Sequence, residues 1–502
     1  MLDLGVIAQG FSAIFLNPFA LLVIVIGTTV GVVLGATPGI SNSMAVVLAV
    51  PFAIAMDPMI ALAFLTAIYC ASITGGSIPA ILFRIPGTPS SAPTALDGYA
   101  MTTRGESGKA LGIALIGSAI GGMVAALAML FISPQLTQVA LTFGPAELAA
   151  IAFLGLSVLT FLDQKNIIPT IISGLIGLFL ATVGMDPIYG YARFTWGNST
   201  LLNGVPMIPT MIGLFAIIEV LKQTVKRDTL DTSKGSGKSG SILMPLREWF
   251  AMKWTVFRAS VLGTAIGLLP GAGATIASFL GYATETRMSK DPSSFGQGNP
   301  KGVLASECSS NAAAGASLVP LLSLGIPGGP AAAIMMTALT IQGVQMGPML
   351  LVRQPEMLTS VFAAMALTNV VMVIVAVWIA KIFSKILDIP YTILGTCIFL
   401  MSAVGSFALS SSTGDVMIMV LAGVIGYALI TKIKFNAPAI ILGLVLGDMI
   451  EANFSRAITL ARGDMLSIFM RPITGVILLA SLILLLMPII KPLLDKRKKG
   501  DS

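Results

Sequence analysis

Two stretches of the sequence place hydroxyl and amide side chains beside a Pro-Gly pair that interrupts apolar residues. The first, GATPGISNS at positions 35–43, contains Thr37, Gly39, Ser41, Asn42 and Ser43. The second, GLLPGAGAT at positions 267–275, contains Gly271, Gly273 and Thr275. A helix that begins inside a membrane presents N–H groups that attract anions, and freed carbonyls with side-chain oxygens suit a hard cation such as Na⁺. These residue types therefore predict a binding site for an anion and a cation.

Further clusters of the same character follow in each half of the chain. SITGGS contributes Thr74, Gly75, Gly76 and Ser77, IPGTP contributes Thr88, SSN contributes Ser309, Ser310 and Asn311, and IPGGP contributes Gly328. Broken helices persist in membranes only where they are buried in protein or line a wet cavity. We therefore predict that these residues surround one site near the middle of the membrane. The alternative is that the small residues only allow helices to pack closely.

Three charged residues lie beside these clusters: Arg84, Glu307 and Arg353. An ionisable residue within a membrane segment is a functional-site hypothesis by default. An arginine could bind a carboxylate with two parallel hydrogen bonds, but both arginines could equally anchor the chain at the membrane interface. The sequence leaves the roles of all three residues open.

The two halves of the chain carry matching motifs. PAILFRIPGTP at positions 79–89 aligns with PLLSLGIPGGP at positions 320–330, as Gly35, Pro38 and Gly39 align with Gly267, Pro270 and Gly271. We predict a first membrane repeat at 1–221, a cytoplasmic polar linker at 222–253, a second repeat at 254–490 and a basic cytoplasmic tail at 491–502. Analogy with transporters that have Gly/Pro-interrupted segments in corresponding positions favours inverted repeats.

The composition indicates that the bilayer is the solvent of this chain. Of its 502 residues, 10% are charged and 56% are hydrophobic, and the mean hydropathy is +0.94. Soluble domains carry about 25% charged residues. The fold class that we predict is therefore an all-α polytopic membrane protein. At about 20 residues per crossing, it would have roughly 10–12 transmembrane helices, some broken at Pro-Gly, with re-entrant loops.

Residue content also bounds the chemistry and the orientation. The chain has no histidine, and its three cysteines show no metal-site spacing, so we expect neither an enzyme nor a cofactor other than a coupling cation. The stretch 222–254 and the C-terminal tail are both rich in lysine and arginine. By the positive-inside rule, both are expected to face the cytoplasm.

Several motifs resemble those of the large membrane subunit of tripartite tricarboxylate transporters, the TctA family. They are GATPGISNSMAVVLAVPFA, GLLPGAGATIASFL, ECSSNAAAGASLVPLLSLGIPGGPAAAIMM, GDMIEANFSRA and PMIPTMIGLFAIIEVL. The resemblance spans nearly the whole chain. It implies a protein of the bacterial inner membrane that works with a small membrane subunit and a periplasmic binding protein. It also implies uptake of carboxylates such as citrate, coupled to an ion gradient and without ATP.

Our interpretation is a permease that takes up a carboxylate, coupled to Na⁺ or H⁺, with the site between the two pairs of broken segments. Alternating access would move one bundle against a scaffold, in an elevator-type motion by analogy with other transporters. The alternative is an ion or solute channel lined by the paired Pro-Gly loops. The sequence leaves open which carboxylate is carried, which cation is coupled and whether the chain forms a homodimer.

Overall fold

The computed structural model describes residues 4–37, 40–162, 167–186, 190–198, 201–226, 246–269, 273–387 and 391–500. The described residues of the first half form helices, joined once by a short antiparallel hairpin. The helices are α1 (Leu4–Phe15), α2 (Pro18–Ala36), α3 (Asn42–Ile54), α4 (Pro58–Gly75), α5 (Ser77–Phe83), α6 (Ala92–Thr103), α7 (Ser107–Ala140), α8 (Pro145–Leu162), α9 (Ile167–Ala181), α10 (Met207–Ile212) and α11 (Ile218–Lys226). The hairpin pairs β1 (Gly184–Met185) with β2 (Ala192–Arg193).

The described residues of the second half are also helical. The helices are α12 (Leu246–Ala251), α13 (Lys253–Gly267), α14 (Gly273–Met288), α15 (Pro300–Ala316), α16 (Leu318–Leu324), α17 (Pro330–Ile341), α18 (Pro348–Arg353), α19 (Pro355–Leu387), α20 (Tyr391–Ser410), α21 (Thr413–Ile433), α22 (Ala437–Leu460), α23 (Met465–Phe469) and α24 (Pro472–Gly500). The all-α prediction is confirmed. The helix breaks predicted at both Pro-Gly stretches are present, since α2 ends at Ala36 before α3, and α13 ends at Gly267 before α14.

Helix length and composition agree with a membrane protein. Among the described residues, seven helices are long and apolar enough to cross a bilayer: Pro18–Ala36, Pro58–Phe83, Ser107–Ala140, Met207–Thr224, Pro355–Phe383, Thr413–Ile433 and Ala437–Leu460. Seven shorter apolar helices of 10–17 residues accompany them. Large apolar side chains such as Phe131 and Trp378 lie exposed on the outside, where lipid would cover them. The predicted 10–12 crossings lie between the seven long helices and the fourteen apolar helices of both lengths among the described residues, and they stay a prediction.

Local sequence explains where several helices begin. Asn17, Asp57 and Asn299 each stand directly before a proline that occupies the first helical position. Their side-chain oxygens accept hydrogen bonds from the N–H groups of the first turn at 2.9–3.0 Å. Such caps satisfy amides that have no partner within the helix, and proline there loses no hydrogen bond.

Helices α4 and α15 form the centre of the protein. Every residue from Ala61 to Gly75 on α4 and from Gly302 to Ala316 on α15 is buried. Helices α2, α3 and α19 pack on α4, whereas α6, α7, α13 and α14 pack on α15, and the two central helices touch each other. Because α7 precedes the polar stretch and α19 follows it, each half of the chain supplies a helix that packs on the central helix of the other half.

Close helix approaches recur in the two halves. Glycines of α2 lie against carbonyl groups of α4, and glycines of α13 lie against carbonyl groups of α15. The pairs are Gly31 with Ile68, Gly35 with Ser72, Gly263 with Ser309 and Gly267 with Ala313. A Cβ atom at any of the four glycines would overlap the partner carbonyl. This recurrence is what two copies of one unit would produce, and the repeat organisation itself stays a prediction.

The predicted linker is helical at both of its described ends. Helix α11 continues to Lys226, and α12 lies just before the second half. Residues 227–245 lie outside the described residues. Helix α24 runs into the predicted tail and ends at Gly500. The domain boundaries inferred from the sequence stay predictions.

Candidate functional site

The first central helix is interrupted at Gly76, between α4 and α5. A Cβ atom at Gly75 would overlap the carbonyl of Val32 on α2, and one at Gly76 would overlap the Thr88 hydroxyl. The Gly76 carbonyl accepts a hydrogen bond from the N–H of Gly87 at 3.1 Å. The IPGTP loop therefore folds back onto the break, and glycine is needed because the backbones approach so closely.

The second central helix has an interruption in the corresponding place, at Ser317 between α15 and α16. Gly328 of the IPGGP loop lies against Ser317, so that a Cβ atom there would meet the Ser317 backbone and side chain. Gly325 directly follows helix α16 as its C-cap and has a φ of 71°. Its counterpart at the end of α5 is Arg84, with a φ of 60°. Both short helices thus end in the left-handed conformation that glycine adopts without strain.

Arg84 and Arg353 do not converge on the broken segments. Arg84 is exposed, and its guanidinium lies 6.0 Å from the centre of the Tyr99 ring. Arg353 is exposed at the end of α18 and donates a hydrogen bond to Gln345 at 3.3 Å. These positions fit the surface role that the sequence left open, and not a role in binding a carboxylate inside the protein.

Two hydrogen bonds join the central helices beside their breaks. The Thr74 hydroxyl donates to Oδ1 of Asn311 at 3.2 Å, and the Tyr69 hydroxyl lies 3.3 Å from that of Ser317. All four side chains are buried. A polar contact in an apolar interior is directional and costly to break. The structure therefore brings together Thr74 and Asn311, which are far apart in sequence, and adds Tyr69, which the sequence analysis did not select.

The residues after the first Pro-Gly pair cap α3 and lie partly open. Ser41 is the N-cap of α3, and its hydroxyl accepts the N–H of Met44 at 3.2 Å. Asn42 is half-buried and Ser43 is buried, and neither side chain has a hydrogen-bond partner within the described part of the chain. Thr37 is buried and donates to the Val33 carbonyl at 2.9 Å. Asn42 and Ser43 therefore keep polar groups available beside the break.

The second Pro-Gly pair is described on its α14 side. Gly273, with a φ of 65°, begins α14 and lies next to Gly329 of the IPGGP loop. Thr275 is half-buried and makes no side-chain hydrogen bond to the described residues. The predicted site residues Gly39 and Gly271 lie outside the described residues. The structure thus places one end of the second Pro-Gly stretch against the second IPG loop.

Four of the predicted site residues satisfy their hydroxyl groups locally. The Ser77 hydroxyl donates to the Thr74 carbonyl, and the Ser310 hydroxyl donates to that of Glu307. Ser309 donates to carbonyls of its own helix and to that of Ala277 on α14, at 2.7–3.2 Å. Thr88 bonds to Ser90 and Ser91 within its own loop. In these contacts the hydroxyls serve helix and loop packing, which was the alternative reading of the small polar residues.

An open cleft of about 400 Å³ reaches the break between α2 and α3 from one side of the protein. Its walls come from the start of α3, the IPGTP loop, α11 with the turn before it, and the turn between α21 and α22. The lining residues are Ser41, Met44, Pro89, Leu214, Phe215, Ile218, Glu219, Lys222, Ile430, Lys434, Phe435, Asn436, Ala437 and Pro438. The cleft is therefore apolar in its walls, with a few polar groups, as small-molecule sites usually are.

Two lysines supply positive charge to this cleft. Lys222 is half-buried on α11, and Lys434 is exposed with a φ of 60° at the end of α21. Neither forms an ion pair with a described residue, although Glu219 lines the same cleft and bonds to Gln223. A groove with unpaired positive charge attracts anions. The sequence analysis placed Lys222 in a solvated loop and did not select Lys434, because only the fold brings the end of α21 to α11.

The helix that carries Lys222 begins with an irregular turn. Residues Gly213–Ile217 form a π-helical turn between α10 and α11. Gly213 and Ile217 lie against α21 at Met419 and Gly423. Such turns occur frequently at functional sites. Here Leu214 and Phe215 of the turn line the cleft.

Comparison with known proteins identifies the family of this chain. The model of the tripartite tricarboxylate transporter TctA family matches residues 21–442. An Agrobacterium vitis protein described as "Uncharacterized 52.8 kDa protein in TAR-I ttuC' 3'region" is 34% identical over 500 residues, 99% of each chain. A second, "Uncharacterized protein in TAR-II ttuC' 3'region" from the same organism, is 33% identical over 235 residues, which are 47% of this chain and 97% of that protein. No solved structure matches. With its apolar helices and its broken central pair, this chain belongs to the TctA family, the large membrane subunit of tripartite tricarboxylate transporters.

Proposed function

We propose that the chain is the permease of a binding-protein-dependent secondary transporter that takes up a carboxylate, citrate or a related organic acid, at the expense of a Na⁺ or H⁺ gradient. The observation that carries this proposal is the cleft beside the break between α2 and α3, where Lys222 and Lys434 line mostly apolar walls together with one acid, Glu219. A carboxylate needs positive charge and N–H donors, and the start of α3 supplies the latter.

The broken helices supply the moving part in this proposal. Helices α4 and α15 are held together by the Thr74–Asn311 hydrogen bond and surrounded by longer helices. Alternating access would carry the buried pair with its loops past the outer helices, as an elevator-type motion. The cation would bind near the same broken segments, where the side-chain oxygens of Asn42, Ser43 and Thr275 bond to none of the described residues.

Membership of the family indicates which partner proteins to expect. Tripartite transporters of this family contain a small membrane subunit and a periplasmic substrate-binding protein. We propose that this chain receives its substrate from such a protein in the bacterial inner membrane, and that it works with the small subunit, as a monomer or a homodimer. Because the stretch at 222–254 is basic, the cleft that contains Lys222 would open to the cytoplasm, where substrate is released.

Uptake of radiolabelled citrate into proteoliposomes that hold all three components tests this function. We expect accumulation that requires both the binding protein and an imposed gradient of Na⁺ or H⁺. If citrate fails, dicarboxylates and aromatic acids that bind the periplasmic partner are assayed in the same vesicles. Flux that needs neither gradient nor binding protein would favour the channel. Absence of gradient-driven uptake for the whole panel would contradict the proposal.

The two lysines of the cleft provide a charge-specific prediction. In the double variant Lys222→Gln, Lys434→Gln, we expect the KM of uptake to rise about tenfold, equivalent to about 1.4 kcal/mol of lost interaction. The effect should shrink at high ionic strength because exposed charges are screened. Lys432→Gln is the matched control, since Lys432 is exposed on α21 and does not line the cleft. An unchanged KM in the double variant would remove the cleft from the substrate path.

A further inference from the structure

Glu307 lies at the centre of the protein and has no positively charged partner among the described residues. It is 1% exposed on α15, the most enclosed part of the second half. Its Oε1 accepts a hydrogen bond from Thr94 of α6 at 2.6 Å, and its Oε2 accepts one from Ser118 of α7 at 2.9 Å. No lysine or arginine of the described residues lies within ion-pair distance of it. Three helices therefore meet at one carboxyl group whose side-chain hydrogen bonds, within the described residues, all come from hydroxyls.

A second buried acid shows what charge compensation looks like in this fold. Glu285 of α14 is 3% exposed, and both of its oxygens bond to the Arg258 guanidinium at 2.8–3.1 Å, with a further bond from Thr255. A buried carboxylate without a cation is far costlier than one in such a pair. Glu307 therefore needs a cation from outside the protein whenever it is sealed from water.

Other ionisable groups around α15 do not supply that cation. On the elements packed against α15, and on α15 itself, they bond elsewhere, lie at the surface or are thiols. Six of these groups have partners elsewhere: Asp57 caps α4, Tyr69 bonds to Ser317, Asp97 bonds to Tyr282 and two backbone amides, Lys109 pairs with Glu248, Arg258 pairs with Glu285, and Cys308 bonds to Ser260. Tyr99 lies beneath the Arg84 guanidinium, and Cys70 is a buried thiol. The remaining groups are Lys301, which is half-buried at the start of α15, and the exposed residues Arg104, Glu106, Lys253 and Arg287.

The packing around the carboxyl group favours a proton over a metal ion. Thr94 and Ser118 already stand at direct hydrogen-bond distance from its two oxygens, and Thr94 also lies 2.8 Å from the Ser306 hydroxyl. A metal ion would need several oxygens arranged around an open centre. Within the described residues, no group of three or more acidic, His or Cys side chains could form one. A proton fits because the acid form can donate to a hydroxyl that now donates to it.

Glu307 is also linked to the broken segments. Its backbone carbonyl accepts hydrogen bonds from Ser310 at 3.0 Å and from Nδ2 of Asn311 at 3.4 Å. Oδ1 of the same Asn311 accepts the Thr74 bond that joins α15 to α4. A change in packing at the breaks would therefore reach the carboxyl group within one turn of α15.

We propose that Glu307 carries the coupling proton of transport, an inference that rests on the proposed gradient-driven uptake. On the outer side the carboxylate takes one proton from a hydronium ion, so that an O–H bond of the hydronium breaks as the carboxyl O–H bond forms and water is left. On the inner side the carboxyl O–H bond breaks and the proton passes to a water molecule, which becomes hydronium. Neutralised in this way, the central helices can move through the membrane interior without an unpaired charge.

Glu307→Gln separates coupling from substrate movement. In proteoliposomes with all three components, and with radiolabelled citrate or the acid transported by the wild type, we expect at least a tenfold loss of accumulation driven by a proton gradient. Exchange of internal for external substrate without any gradient should continue, because the amide mimics the neutral acid. Glu307→Asp should retain accumulation, since it keeps the proton site. Glu106→Gln, the same change at an exposed position, should behave as wild type.

Several outcomes would overturn the assignment. Accumulation by Glu307→Gln under a proton gradient would do so, as would wild-type accumulation that follows a Na⁺ gradient and ignores the proton gradient. If the wild type showed neither accumulation nor exchange with any acid, the proposed function itself would have failed, so the two failures are distinguishable.

A labelling experiment on the wild-type protein tests the role of Glu307 even if Glu307→Gln does not fold. Dicyclohexylcarbodiimide reacts with protonated carboxyl groups in apolar surroundings, and mass mapping locates the adduct. We expect an adduct on Glu307 and none on Glu285, whose carboxylate is paired with Arg258. An adduct on Glu285 without one on Glu307 would contradict the proposal.

Discussion

Alanine in place of Gly35 should prevent stable packing of the central helices. A Cβ atom there would overlap the carbonyl of Ser72 on α4, and the Gly35 carbonyl itself lies against Gly87 of the IPGTP loop. The obstacle is backbone on both sides, which no rotamer change relieves. Overpacking costs about 1–3 kcal/mol of unfolding free energy, and more where the backbone must shift. We expect a sharply lower yield of monodisperse protein and a lower thermal midpoint in detergent.

Two further glycine-to-alanine variants test whether the backbone overlap causes the loss of stability. Gly117→Ala makes the same change within α7, but there the nearest atom is the end of the Leu304 side chain, which can move. That variant should keep a midpoint near that of the wild type, helped by the better helix propensity of alanine. Gly267→Ala meets the Ala313 carbonyl and should behave like Gly35→Ala. Equal stability of all three variants would show that these close approaches do not hold the fold.

Removal of Asn311 should abolish transport more completely than any change at the cleft. Asn311→Ala deletes the acceptor of the Thr74 hydrogen bond and the donor to the Glu307 carbonyl, in a fully buried position. The Thr74 hydroxyl would be left unpaired, at a cost of about 1–3 kcal/mol. We expect substrate uptake to fall below detection, with a moderately lower thermal midpoint. Both quantities are measured on purified protein, the first after reconstitution with the two partner subunits.

A double-mutant cycle with Thr74→Val tests the origin of this effect. If the hydrogen bond is responsible, the two substitutions should be non-additive by about 0.5–1.5 kcal/mol in unfolding free energy. Asn453→Ala is the control, because the Asn453 side chain on α22 bonds, among the described residues, only to the Met449 carbonyl one turn earlier. Fully additive effects, or normal uptake by Asn311→Ala, would remove this contact from the mechanism.

Asn42 provides a contrast between structure and function. Its half-buried side chain bonds to none of the described residues, so Asn42→Ala should leave the thermal midpoint unchanged and still impair uptake. A variant that transports normally would return the first Pro-Gly stretch to the role of a packing element. The difference between Asn42 and Asn311 could not be foreseen, because both are asparagines that follow a serine in apolar sequence.

Composition and local sequence alone were sufficient for the fold class and for the places where helices end. The low charge content requires lipid contact, and proline with a preceding Asn or Asp begins an α-helix at Pro18, Pro58 and Pro300. The breaks at both Pro-Gly stretches follow from the same backbone rules. The fold class and the helix ends are local properties, because they depend on the backbone conformations available to each residue and on its free energy of transfer from water to lipid.

The partners of each polar side chain depend on tertiary packing. Ser309 and Asn311 have the same sequence context, yet one faces α14 and bonds to backbone carbonyls, whereas the other faces α4 and bonds to Thr74. Lys434 joins Lys222 at the cleft because α21 packs against the π-helical turn before α11. Glu307 has no counter-ion among the described residues because α6 and α7 present hydroxyls to it. Contacts between distant segments depend on how helix faces fit together, and that information lies in no single stretch of the sequence.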